Sequence, residues 1–237
     1  MRWFYRRGLR VLMYHKVSPT QCDALTVTAA QLEQQLRWLR EAGFQFVPLA
    51  EVLRGPLPAW PVLVTFDDAY VDTRENAQPV LRRLGVPAVV FVPTAFIGKT
   101  SSWDRNAQPL MNATQLREFV ANGGELAFHS HRHPNYAALS VAQIADDVRE
   151  GLATLRQLDL PAAPGLAYPY GGRPRDATTR AAMRNALVEC GLQLGFRIGN
   201  RINRLPLADP FAVQRLGVRG DESFASFQRK LRWGKIL

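Results

Sequence analysis

Short apolar runs of strand length recur along this chain, and segments with helical periodicity fill most of the gaps between them. Strand candidates are 10–14 (RVLMY), 44–47 (FQFV), 62–66 (VLVTF), 87–92 (PAVVFV), 125–128 (ELAF), 165–168 (GLAY), 193–196 (QLGF) and 212–215 (AVQR). Residues 29–42 put Leu32, Leu36 and Leu39 on one helical face, start behind Thr28 with Gln31 in capping-box position, and stop at Gly43. Segments 73–84, 114–122, 141–158 and 177–190 are bounded in the same way, by Gly85, by Gly123-Gly124, by Ser140, and by Asp176 with Gly191. Strands separated by helices pair in parallel. Seven or eight of them in 237 residues predict one irregular (β/α) barrel of about seven strands, spanning 1–237 as a single domain.

Hydrophobic residues make up 47% and charged residues 21%, enough apolar material for a real core and too much for disorder. Cys22 and Cys190 lie far apart in no metal-binding pattern, which fits a reducing compartment without disulfides. The opening MRWFYRRGLRVLMYHK lacks the apolar core of a signal peptide, and no window approaches the ~18 apolar residues of a membrane span. The expected location is cytoplasmic.

The net charge of +10 sits at the ends. Residues 1–20 hold five basic residues and no acid, 201–237 hold eight basic and three acidic residues, and 21–200 is neutral. The ends, about 1–9 and 217–237, read as basic extensions interleaved with Trp3, Phe4, Tyr5, Phe224, Phe227 and Trp233. A helix over 222–233 would gather Phe224, Phe227 and Leu231 near one face. It would serve either to pack on the barrel, the commoner case, or to lie peripherally on an anionic inner-membrane face. No recognition motif accompanies the charge, so a nucleic-acid partner is not expected. Arg201, Asn203 and Arg204 read as solvated loop residues first, and as contacts to an anionic substrate second.

In PVLVTFDDAY an apolar strand stops at two carboxylates, Asp67 and Asp68. One can bind a metal while the other moves protons, or the pair can cap the helix after Tyr70. His15 follows RVLMY, His129 follows ELAF, and Pro169-Tyr170-Gly171 follows GLAY, so in a parallel barrel all four segments meet on the C-terminal rim where active sites form. His129 and His133, four apart, reach one ion if their segment turns helically before Pro134. Two imidazoles and a carboxylate make a divalent site with positions open to water. His131 points elsewhere, as a bystander.

TFDD at 65–68, HSHRHP at 129–134 and YPYGG at 168–172, with LMYHKVSP and CGLQLGF outside them, resemble the polysaccharide deacetylase family, the NodB-like carbohydrate esterases of family four, over about residues 10–197. The resemblance implies the NodB homology fold and a metal-dependent hydrolase that removes N-acetyl groups from an amino-sugar glycan, polysaccharide or lipid-linked. It makes Asp68, His129 and His133 the ligands of a divalent ion, zinc first and cobalt, nickel or manganese also admissible. Asp67 becomes the general base, and Tyr170 beside Pro169 the oxyanion donor through its backbone N–H.

Two departures stand out. The arginine that many members carry before Pro-Tyr-Gly to orient the base is missing, and Arg173 or Arg132 is the expected substitute. No histidine follows 133, so His15, which resembles the N-terminal Tyr-His of some members, takes the general-acid role; its other reading is a buried histidine bonded to a carbonyl. Trp103 and Arg173 are candidates for the sugar groove. The rival reading is a non-catalytic carbohydrate-binding or scaffold protein on the same fold. Retention of both Asp67 and Asp68 weighs against it.

Overall fold

A computed structural model of the chain describes residues 7–234. The strands are β1 (Arg10–Tyr14), β2 (Lys16–Ser18), β3 (Thr26–Thr28), β4 (Gln45–Phe46), β5 (Pro61–Phe66), β6 (Ala88–Val92), β7 (Glu125–Phe128), β8 (Ala162–Ala167), β9 (Leu194–Ile198) and β10 (Val213–Gly217). The helices are α1 (Ala29–Glu41), α2 (Leu49–Arg54), α3 (Gln78–Leu84), α4 (Ala113–Ala121), α5 (Val141–Gln157), α6 (Ala177–Glu189) and α7 (Phe224–Trp233). β1 pairs with β10 and with β5, and the parallel order β1-β10-β9-β8-β7-β6-β5 closes into a seven-stranded barrel. The strand expected at 44–47 shrinks to β4, which pairs only with the first residues of β5 and stays outside the ring. α2 and the small parallel pair β2–β3 were not legible in advance, because neither is long enough to establish a period.

Local chemistry sets the boundaries. Thr28, Asn112 and Ser140 each close a reciprocal capping box with a glutamine at the third helical position. The expected helix at 73–84 begins as a π-turn, Thr73–Ala77, before becoming α3.

Strand alternation divides the core in two. Val11, Leu63, Val89, Phe91, Ala127, Ala167, Phe196 and Val213 fill the barrel, while Leu12, Val62, Val64, Phe66 and Val90 face the helices. α7 completes that outer layer: Phe227 and Leu231 are fully buried, Trp38 meets Phe224 and Phe227 edge-on, and Arg10 Nε donates to the Leu231 carbonyl at 2.6 Å. The apolar face that a membrane-lying helix needs is thus spent on the barrel. Among the described residues no helix is long and apolar enough to cross a membrane. Arg2, Trp3, Phe4, Tyr5, Arg6 and Lys235 of the basic ends lie outside the described residues.

Candidate metal centre and active site

The same alternation carries polar groups to the barrel mouth. Val11, Met13 and His15 follow one another at spacing two, as do Leu63, Thr65 and Asp67, then Ala127 and His129, then Val213 and Arg215. Asp67, His129 and Arg215 are all buried there.

Arg215 grips Asp67 with both arms: Nη1 donates to Oδ1 at 2.5 Å and Nη2 to Oδ2 at 2.8 Å. Its guanidinium lies 5.5 Å from the Phe91 ring centroid. Burial raises the Asp67 pKa, but the Arg215 charge, helped by His129 and His15, more than offsets it and holds the carboxyl below its ordinary range. The arginines expected to do this are engaged elsewhere. Arg173 Nη1 donates to the Phe211 carbonyl at 3.3 Å and lies 4.0 Å from Asp209, outside this cluster, while Arg132 pairs with Glu150 at 2.5 Å on the surface. Neither reaches Asp67, because Arg173 turns to Phe211 and Asp209 in the segment before β10 and Arg132 sits on an exposed loop. Arg215 was overlooked in the last strand candidate, although a lone charge two residues after an inward-facing valine was the available signal.

Asp68 departs from the strand period. Its φ is 73° and that of Ala69 is 57°, so the chain folds back and brings Asp68 beside its neighbour's site instead of behind the sheet. The capping alternative fails, since the following helical turn has Asp72 at its N-cap and no side-chain bond there. Asp68 Oδ1 lies 3.3 Å from His129 Nε2 and 3.2 Å from His133 Nε2. His129 and His133 converge without the helical turn expected between them. Ser130 (φ 68°) and His133 (φ 57°) are left-handed, and Ser130 Oγ accepts from the His133 N–H at 2.9 Å.

Asp147, buried on α5, pins this loop by accepting from the backbone N–H of His131 and Arg132 and from the Tyr136 hydroxyl at 2.7–3.0 Å. Nothing in the local sequence sets Asp147 apart from its neighbours Asp146 and Glu150 on the same helix. His131 turns away, its Nδ1 2.8 Å from Thr94 Oγ1.

The three side chains fit a divalent ion. Asp68 Oδ1 is buried without a hydrogen-bond partner among the described residues, yet two imidazole nitrogens aim at it. Ligand atoms on one tetrahedral ion with bonds of about 2.1 Å lie roughly 3.4 Å apart, close to the separations found here. His129 Nδ1 donates to the Ala167 carbonyl at 2.7 Å, which leaves Nε2 as the free lone pair. Burial raises the pKa of Asp68, but the two imidazoles hold it well below the usual carboxylate range. Burial lowers that of His129, but Asp67 and Asp68 bring it above its ordinary value, so this pocket favours a cation at Nε2.

His15 Nε2 is 3.8 Å from Asp67 Oδ2 and the residue is partly exposed, so the reading of a buried, carbonyl-bonded histidine does not hold. Trp103 stacks on His133 with centroids 3.9 Å apart, and the exposed Tyr170 meets the same imidazole at 5.0 Å. Tyr170 is left-handed (φ 57°) and follows the buried Pro169 at the end of β8.

The sequence profile of the polysaccharide deacetylase family matches residues 54–193, more than half of the chain. The chain belongs to the polysaccharide deacetylase family. It is 28% identical over 210 residues to the poly-β-1,6-N-acetyl-D-glucosamine N-deacetylase of Staphylococcus epidermidis, covering 83% of this chain and 69% of that one. YxkH of Bacillus subtilis strain 168, provisionally named a polysaccharide deacetylase, is 26% identical over 192 residues, and the match spans 79% of this chain and 63% of YxkH, just under two thirds. Among solved structures, IcaB from Ammonifex degensii superposes with a TM-score of 0.80 at 26% identity over 97% of both chains. The polysaccharide deacetylase barrel of seven strands is therefore shared along nearly the whole length.

Proposed function

We propose that this polysaccharide deacetylase removes N-acetyl groups from an amino-sugar glycan by metal-dependent hydrolysis, with a β-1,6-linked N-acetylglucosamine polymer as the first substrate to test. The observation that carries the reading is the division of labour between adjacent carboxylates, Asp67 clamped by Arg215 and Asp68 left open toward two imidazoles. A binding scaffold has no use for that division, so the non-catalytic alternative is not retained.

In this reading Asp68, His129 and His133 hold a divalent ion, which when bound supplies Lewis acidity toward an amide carbonyl and toward water. Nitrogen and oxygen donors in this number suit zinc and also admit cobalt, nickel or manganese. Asp67 takes the proton of the attacking water. Its low pKa keeps it ionised at neutral pH, and the Arg215 fork fixes its plane. The Tyr170 N–H stabilises the carbonyl oxygen as it gains charge, and His15 protonates the departing amine. Trp103 and Tyr170 flank His133 and offer ring faces to a sugar. The test is acetate release by metal-reconstituted protein from N-acetylated glycans, β-1,6-linked oligomers and lipid-linked saccharides included. No release from any of them, with the ion bound, would overturn the proposal.

A further inference from the structure

The surplus positive charge plays no part in this chemistry. Among the described residues, Gly8 and Leu9 from one side and Gly234 from the other approach residues 201–203, at the end of the barrel where β1 begins, away from the candidate site. Asn203, buried there, is wedged between the first residues of β1 and β10. It exchanges backbone bonds with Leu9, each 2.9 Å, while its Nδ2 donates to the Gln214 carbonyl at 2.8 Å and its Oδ1 accepts the Gln214 N–H at 2.7 Å. Gly8 comes so near that a Cβ added to it would meet the Asn203 carbonyl oxygen at 2.2 Å, and one on Gly234 would touch the backbone of Arg201 and Ile202 at 3.5 Å. The reading of Asn203 as a solvated loop residue is thereby corrected: it is buried and ties Leu9 to Gln214.

Arg7, Arg201, Arg204 and Trp233 consequently border one cleft of about 940 Å³, with Ile202 and Leu207 in its wall. The three arginines are exposed and have no acidic partner among the described residues, and the Trp233 side chain is half exposed. Asp209, the acid of the cleft, lies 4.0 Å from both Arg173 and Arg184. Asp221 and Glu222 are taken by Arg219 and Lys230. Behind Arg201, Arg197 is partly buried with its Nε unpartnered, and burial together with the nearby charges of Arg173, Arg201 and Arg180 lowers its pKa. Like charges lining one cleft repel one another until an anion sits among them. Guanidinium forks match phosphate oxygens, and three of them bordering one cleft suit a tetrahedral group with several charged oxygens better than a carboxylate with two.

We propose that this cleft binds a phosphate ester, with Arg7, Arg201 and Arg204 on the phosphoryl oxygens and the Trp233 ring against the organic part. The ester comes either from a small molecule in solution or from the headgroup of an anionic lipid, and the two sources separate experimentally. The full-length protein would be titrated calorimetrically with sn-glycerol 3-phosphate, and sedimented with phosphatidylcholine vesicles with and without phosphatidylglycerol, at low and high salt. Arg201→Gln/Arg204→Gln would be compared with Arg82→Gln/Arg156→Gln, which removes the same charge from exposed sites on α3 and α5, and equal melting temperatures would establish that both variants fold.

Saturable binding of glycerol phosphate that weakens at least tenfold in the first variant and stays within twofold in the second is the expected result, and it assigns a soluble ester. Salt-sensitive sedimentation with phosphatidylglycerol vesicles alone, lost in the first variant only, assigns the headgroup. Absence of both, or equal weakening in the two variants, would overturn the site. None of these readouts depends on deacetylase activity.

Discussion

Arg215 and Asp67 stand 148 residues apart and form a two-pronged ion pair at 2.5 and 2.8 Å in the mouth of the barrel. Removing one partner of a buried pair strands the other charge, at a cost of about 3–5 kcal/mol. Arg215→Met should therefore destabilise the fold by roughly that amount. Arg215→Lys keeps the charge and loses the fork, so it should retain most of the stability while lowering turnover. Chemical denaturation with steady-state rates on both variants checks this; a slope-corrected loss under 1 kcal/mol for Arg215→Met would contradict it.

The pH dependence of that pair has a definite sign. Asp67 is held below its ordinary value of 3.8, so its contribution to stability is present above pH 4 and fades as pH falls below that. Without Arg215, burial, the largest influence on Asp67, is opposed by His129 and His15 alone and raises the pKa, so Arg215→Met should gain stability on acidification from pH 7 to pH 5 where the parent does not. The acid limb of its residual activity should move to higher pH. Unfolding free energies at the two pH values decide the matter.

Added zinc should raise the melting temperature of the parent, and Asp68→Ala, His129→Ala and His133→Ala should each abolish that rise, since three protein ligands leave no redundancy. Asp67→Asn and His15→Ala should keep that rise and lose turnover by roughly 10²–10⁴. Loss of the zinc response in Asp67→Asn would reverse the roles of the two carboxylates.

Asp104 accepts from Tyr70 Oη at 2.6 Å and from Ser101 Oγ at 2.7 Å, with Lys16 Nζ at 3.5 Å, and so fixes the loop that lays Trp103 on His133. Trp103→Ala should raise KM for glycan more than it lowers kcat, because in the proposed reading the ring serves the sugar and not the reacting atoms. Asp104→Asn should produce a milder change of the same kind. Equal losses in kcat with unchanged KM would assign Trp103 to the chemistry instead.

Asp72 is a separate pH-sensitive group. Burial raises its pKa to about 7 despite the Val17 amide and Lys16, so the folded state prefers it protonated. A raised acid penalises folding above pH 7, and the penalty is relieved as pH falls toward 4. Asp72→Asn should stabilise the protein at pH 8 by about 1–2 kcal/mol, a value discounted for partial solvent access, and by little at pH 5. Thermal melts of both forms across that range provide the measurement.

The barrel and most of its mouth are legible in the residues alone. A period of two in the strands and of 3.6 in the helices is a local property, capped by local residues such as Thr28 and Ser140, so it can be read without knowing the partners. The carboxylates and histidines were legible for a related reason, since parallel strands all deliver their C-terminal residues to one rim. Tertiary structure alone decided which arginine serves Asp67, because that depends on the register of β10 against β1 and β9 at closure of the ring, and pairing across 148 residues leaves no trace in local spacing. It also decided that α7 lies on the barrel and that Leu9 and Gly234 come to lie beside the 201–203 segment. Phe227 and Leu231 have the same helical pattern whether they cover a core or face a membrane, and only the Trp38 and Arg10 waiting opposite them distinguish the two.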